Sequence, residues 1–352
     1  MSRPVDRLIH ALLYEGALLY PYRASSLKNQ HRWTFGGLYP AAWSGEGDRS
    51  ALRCECLVER TASTRLKICL RFLHLVDTRS VERAVSVDID THTDLEHPFH
   101  FAEAGCEPVR GLLSAHCEVL APDLVRLSLR AANVTTPGPL PDRDTAQRHT
   151  LLSAHLVLGV QDGAFVSVLD PPPTLAAHTL VQDGVFPVLV GPPGSRDAMI
   201  ASPIILYDHP QIAPESPGDH YDATEIDEML ALRVLTLTDA EKAEAGAEDP
   251  RAREILARAA ALDAAALRKL HGTWRTDTLV PGTRVRIHPR PGGDIFDKAL
   301  AGRVATIASV ERDLEDRVHY AVTVDDDPGR DLGAAGWPGH RFFFSPGEVE
   351  PV

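Results

Sequence analysis

Between about residues 50 and 190 the apolar positions recur every second residue. Leu52, Cys54, Cys56 and Val58 share one face, as do Leu66, Ile68, Leu70 and Phe72, while Val125, Leu127 and Leu129 alternate with Arg126, Ser128 and Arg130. A period of two places successive side chains on opposite faces of a pleated strand, so these runs are expected to be half-buried strands. Leu152, Ala154, Leu156, Leu158 and Val160 lead into Asp162-Gly163 and then Phe165 and Val168. An Asp-Gly pair between β-prone runs predicts a tight hairpin, because glycine accepts positive φ without steric cost. A second such pair stands at Asp183-Gly184.

The texture changes after Ser202. Pro203, Pro210, Pro214 and Pro217 forbid a continuous helix to Gly218 and predict an extended arm. Helical signals then begin: Ile226, Met229, Leu230 and Val234 show three-and-four spacing, Thr238 with Glu241 forms a capping-box pattern, and Asp249-Pro250 reads as an N-cap with proline at the first helical position. An alanine-rich helix is expected to run on towards Leu270. Beyond Trp274, three short strands around residues 280–287, 302–307 and 319–324 precede Arg341-Phe342-Phe343-Phe344. The chain is therefore expected to be mainly β with a helical insert. An antiparallel sandwich or barrel-like domain with an N-terminal aromatic-basic strap spans 1–205, a proline-rich arm and helical segment span 206–272, and an SH3-like barrel spans 273–352.

Charge narrows the function. With 49 acidic against 36 basic side chains the formal net charge is -13, which argues against a nucleic-acid partner, since phosphate binding needs a concentrated cationic face. The longest apolar runs fall well short of the roughly 20 residues a bilayer span requires. Leu8 to Leu13 is followed at once by Glu15, and Tyr20-Pro21-Tyr22-Arg23 is no leader cleavage site, so the chain is read as cytoplasmic. Five cysteines, an odd number, predict reduced thiols rather than a disulfide framework.

Several groups carry residue types suited to chemistry. Cys54-Glu55-Cys56 has the form of a metal or redox pair, yet both sulfurs are in phase with core positions. His92, His97 and His100, with Asp94 and Glu96, offer imidazole and carboxylate ligands, but their spacing matches no metal motif and reads first as a polar loop. Gly191-Pro192-Pro193-Gly194-Ser195 lacks the lysine of a phosphate loop, and its prolines remove amide donors. Tyr207-Asp208-His209 with Glu215 contains a general acid-base pairing but no nucleophile motif, and an interaction arm is the better reading. In the strap, Tyr20, Tyr22, Arg23, Lys28, Asn29, Arg32 and Trp33 combine rings and cations as protein-interface hot spots do; the bland alternative is a structural strap covering the β core.

Tyr14-Glu15-Gly16, Leu19-Tyr20-Pro21-Tyr22-Arg23-Ala24-Ser25, Lys28-Asn29, Ser202-Pro203-Ile204-Ile205-Leu206-Tyr207-Asp208-His209-Pro210, Ala213-Pro214-Glu215-Ser216, Glu225-Ile226-Asp227-Glu228 and Gly339-His340-Arg341-Phe342-Phe343-Phe344 carry a likeness. They resemble an accessory-protein family associated with actinobacterial-type [NiFe]-hydrogenase gene clusters, and the C-terminal part is similar to the SH3-like barrel of the nitrile hydratase β subunit. The resemblance implies a non-catalytic adaptor whose partner is a hydrogenase subunit or maturation factor, with no cofactor and no catalytic residue carried over. Two alternatives stay open: a metal-binding protein or enzyme using His92, His97 and His100, and a permanent structural subunit of a larger complex.

Overall fold

The computed structural model describes residues 3–23, 25–31, 35–43, 45, 47–76, 79–213, 216, 218–221, 227–263, 266, 267, 270, 279–289, 299–313, 318–326 and 341–352. Two compact units divide the chain, residues 1–271 and 272–352. The first carries, in order, α1 (Arg3–Tyr14), β1 (Ala51–Val76), β2 (Arg79–Asp90), β3 (Leu95–Phe101), β4 (Val109–Ala121), β5 (Leu124–Asn133), α2 (Arg143–Arg148), β6 (Leu152–Phe165), β7 (Phe186–Leu189), β8 (Ala198–Ser202), α3 (Asp227–Leu235), α4 (Asp239–Glu248) and α5 (Pro250–Ala261). The protein is mainly β, its paired strands run antiparallel, and its helices gather after residue 226 apart from α1 and α2.

The two period-two runs read from residues 52–58 and 66–72 belong to a single strand, the 26-residue β1. Its first half pairs with β5 and its second half with β2, while β6 follows its opposite edge across both. The sheet runs β3-β4-β5-β1-β6-β8-β7, with β2 also on β1. The β1–β6 register slips between Arg60 and Arg65. There the Asp162 carbonyl, on a residue at φ 52, accepts from the hydroxyls of Thr61 at 3.0 Å and Thr64 at 2.5 Å.

Asp162-Gly163 is thus not a hairpin but a bend inside β6, a correction to the sequence reading. A Cβ on Gly163 would stand 2.7 Å from the Glu59 carbonyl oxygen, so glycine is required here for the close approach of two backbones and not for chain reversal. Asp183 forms an isolated bridge to Arg53 rather than closing two paired strands.

The bend lays one arm of the sheet over the other. Phe72, in the second half of β1, meets Phe99 and Phe101 of β3 at ring separations of 6.0 and 5.7 Å, although β3 belongs to the arm that pairs with the first half. Between the arms lies one core, to which Cys54, Val58, Ile68, Phe72, Leu113, Leu127, Leu156 and Leu189 contribute. The outward face of the arm formed by the second half of β1 with β6, β8 and β7 is apolar too. Cys69, Leu73, Val157, Val188 and Ile200 are covered there by Ile9 and Leu13 of α1, Val234 of α3 and Ile255 of α5.

That α1 is a helix was not expected, yet Val5, Leu8, Ile9, Leu12 and Leu13 have the three-and-four spacing that one buried stripe requires, and all five are buried. The expected caps are present: Thr238 accepts from the Glu241 amide while the Glu241 carboxylate accepts from the Thr238 amide at 2.9 Å, and Asp249 accepts from the Arg251 amide at 2.8 Å. α5 stops at Ala261, short of Leu270, and Asp263 begins a fresh turn by accepting from the Ala266 amide. No helix among the described residues is long and apolar enough to cross a membrane.

The second unit holds β9 (Arg284–Ile287), β10 (Val304–Arg312), β11 (Val318–Val324), β12 (Phe342–Phe344) and β13 (Val349–Pro351). β9 to β12 form a meander, and β13 returns through a short 3-10 turn to pair with β9, the closing move of an SH3-like barrel. Val285, Ile307, Tyr320, Val322 and Phe344 fill its core.

Gly163→Ala is expected to destabilise the first unit by roughly 1–3 kcal/mol, read as a lower urea midpoint, because the added methyl meets fixed backbone. Gly138→Ala, at a glycine with open space around it, is the control and is expected to leave the midpoint unchanged.

Candidate functional site

The N-terminal strap is tied inward. Asn29 is buried, its Oδ1 accepting from the Leu19 amide at 2.8 Å and its Nδ2 donating to the Arg23 carbonyl at 2.7 Å. This clip ties Leu19 and Arg23 to Asn29, with Tyr22 between them at φ 60 and fully buried. Tyr20 meets the Tyr22 ring edge-on at 5.9 Å and lies under the Arg233 guanidinium of α3. Arg23 pairs with Glu241 at 3.1 Å and Glu244 at 3.9 Å on α4, and the Ser25 hydroxyl donates to Glu244.

Tyr22 and Asn29 therefore offer no surface to a partner, and Arg23 is engaged within the chain. Rings and cations serve a core-facing strap as well as an interface, and here the helical insert takes them up. Lys28 is exposed, Tyr20 is half-buried, and Arg32 and Trp33 lie outside the described residues.

The arm after β8 is built the other way round. Ile204 and Leu206 pack onto the helix-covered core, while Ile205 and Tyr207 point out with 73% and 87% of their surface exposed. The next residue fastens the segment: Asp208 accepts from the Leu189 amide at 2.7 Å and from the Ser167 hydroxyl at 2.5 Å. His209, at φ 55, then donates its amide to the Leu189 carbonyl at 2.7 Å. Both contacts occupy the free edge of β7. Asp208 is committed to Leu189 and Ser167 rather than to the His209 ring, so these two neighbours form no acid-base dyad. Glu215 lies outside the described residues.

The histidine candidates are separated by strand geometry. His97 and His100, three apart on β3, project from opposite faces, and Asp94 is occupied by His116 at 2.7 Å. His92 faces the Arg60 guanidinium at 3.0 Å. Among the described residues no three His, Cys, Asp or Glu side chains are grouped to hold a metal ion.

Cys54 and Cys56 are fully buried, and burial pushes the Cys54 thiol up to about 12 and the Cys56 thiol well above its ordinary value, so neither presents a thiolate. Glu55 is also buried. Burial works to raise its pKa, but bonds from the Val181 amide at 2.8 Å, Arg53 at 2.6 Å and Ser128 at 3.1 Å outweigh it and hold the carboxylate below its usual range.

Two polar groups have no signal in a linear reading. The first is a buried Ser202–His155 contact of 3.1 Å, with the other imidazole nitrogen 2.7 Å from the Ser153 carbonyl. The neutral ring donates to that carbonyl and accepts from Ser202. Both side chains are fully buried, so the pair is a structural joint between β6 and β8 with no path for a substrate.

The second is a seam along α1. Arg71 of β1 donates to Glu82 of β2 and stands 3.7 Å from Asp6, His10 faces Glu82 at 3.8 Å, and the Arg251 guanidinium lies 4.0 Å over the Tyr14 ring. His10 and Arg71 hold Glu82 below the usual carboxylate range despite its partial burial. No family model matches the chain, and no curated protein matches its sequence.

Burial depresses the His155 pKa to about 4, against the opposing pull of the Ser153 carbonyl. An unfolded imidazole titrates near 6.5. Between these values the unfolded chain binds the additional proton, so stability is full above about pH 6.5 and declines as pH falls towards 4, by about 3 kcal/mol at the lower end. Urea unfolding across this window is expected to show a shallower pH slope for His155→Gln than for the parent chain; equal slopes would refute the assignment.

Proposed function

We propose that this chain is a non-catalytic accessory protein of the cytoplasm that assists assembly or maturation of a [NiFe]-hydrogenase through protein–protein contacts. Its sequence resemblance to the hydrogenase-associated accessory family supplies the partner class. The observation that carries the mode of action is the presentation of Ile205 and Tyr207. Large apolar side chains exposed singly are ordinary, but here two sit on one short segment whose backbone is fixed on both sides of them, by Ile204 and Leu206 in the core and by Asp208 on β7. Holding such side chains in place before binding lowers the ordering cost of association, and aromatic anchors of this kind dominate interface energies.

The arm, rather than the strap, is the contact surface. Phe186, on the edge strand the arm follows, and Leu169, two residues from the Ser167 anchor, are also exposed and extend its apolar area.

The test is recovery of hydrogenase subunits and maturation proteins with the protein expressed at its native level in its own host. Parent chain is expected to recover them, and the Ile205→Asp/Tyr207→Asp double variant to recover about tenfold less with an unchanged melting temperature. Absence of hydrogenase proteins from the parent sample rules out the partner class. Full recovery by the double variant rules out the arm.

A further inference from the structure

We infer that the groove between the first turns of α1 and the Gly191-Pro192-Pro193-Gly194 turn is a binding site for a small apolar carboxylic acid, its tail lying against Leu8 and Ile212 and its carboxylate meeting Arg7. The groove encloses about 530 Å³, within the roughly 300–1,000 Å³ typical of small-ligand sites. Its apolar wall comes from Val5 and Leu8 on one side, Pro192 and Pro193 on another, and Pro210 with Ile212 on the third.

These walls are set before any ligand arrives. Proline fixes its own φ, and four prolines line the groove, Pro4 being the fourth. The 191–194 turn is held at both ends by glycines at φ 106 and 82, and the Ser195 amide closes it on the Pro192 carbonyl at 3.0 Å. Pro210 follows directly on the Asp208–His209 clamp. A groove whose walls cannot close over its own apolar surface leaves that surface to be covered by something else, and the ordering cost of binding there is small.

Charge selects the head group. Among the described residues, Arg7 is the one charged side chain that lines the groove. It is exposed and makes no ion pair or hydrogen bond with another described residue, whereas Arg49, Arg53, Arg71, Arg143 and Arg196 in the same unit each hold a carboxylate. Asp6 and Asp219 line a neighbouring cavity to which Arg7 and Ile212 also contribute, and neither carboxylate lines the groove itself. Among the described residues an anion in the groove therefore meets a guanidinium and no lining carboxylate, next to the partially positive N-terminal end of α1. Among the described lining residues an ammonium head meets this cation and no carboxylate.

Calorimetric titration of the full chain with octanoate, octylamine and octanol near neutral pH tests this. Octanoate is expected to bind saturably with a Kd below about 1 mM, and octylamine about tenfold more weakly or not at all. Arg7→Gln, a surface change that leaves the core intact, is expected to weaken octanoate about tenfold while leaving octanol unchanged. Ile212→Asp is expected to abolish binding of both, with the thermal melt showing that the fold persists. The assignment fails if octanoate does not saturate, if octylamine binds as tightly as octanoate, or if Arg7→Gln binds octanoate like the parent.

Discussion

The backbone hydrogen bonds of β1 are the constraint on which the first unit rests. Both edges of this strand are occupied for much of its length, and its partner on one edge changes from β5 to β2 as it passes the slip between Arg60 and Arg65. A strand obliged to satisfy two arms of one sheet must bend where the arms part, and the hydroxyls of Thr61 and Thr64 hold that bend on the Asp162 carbonyl. Sandwich packing follows from it, since only a folded sheet brings Phe72 against Phe99 and Phe101. The helical layer follows in turn, because the folded sheet still presents Cys69, Val157 and Ile200 on its outside.

That second apolar face decides what the strap and the arm do. The strap is clipped on itself by Asn29, and the helical layer takes up its Tyr22 and Arg23 as joints. The arm leaves β8 at the margin of the same layer and keeps only alternate side chains inside. One segment thus turns its rings and cations inward and the other turns alternate apolar side chains outward, decided by the surface each one crosses.

The strands were legible because their period is local and each half-buried run carries its own pattern, from Leu52 to Val58 and from Leu152 to Val160. The caps at Thr238 and Asp249 were legible for the same reason. What failed was decided at a distance. The turn propensity of Asp162-Gly163 is real, but Glu59, Thr61 and Thr64 on the neighbouring strand determine that it bends the chain without reversing it. The stripe in α1 was present in the spacing of Val5, Leu8, Ile9, Leu12 and Leu13, yet the run drew attention as a possible leader. The seam of Asp6, His10, Arg71 and Glu82 draws on three elements, and no linear motif could have assembled it. Among the site residues, Tyr207 is exposed and Tyr22 is buried, so aromatic and cationic composition does not by itself distinguish an outer surface from an inner one.

The helical layer also has a consequence for how the chain is made. Ile9 and Leu13 of α1 share their cluster with Ile255 and Ala259 of α5, so the first helix leaves the ribosome long before the elements that enclose it. Through most of synthesis its apolar stripe has only part of its final covering, and a chain halted before α5 leaves part of that cluster uncovered. For this protein, premature termination in the last helices of the first unit is therefore a route to aggregation and clearance, even though every strand of the large sheet has already been translated.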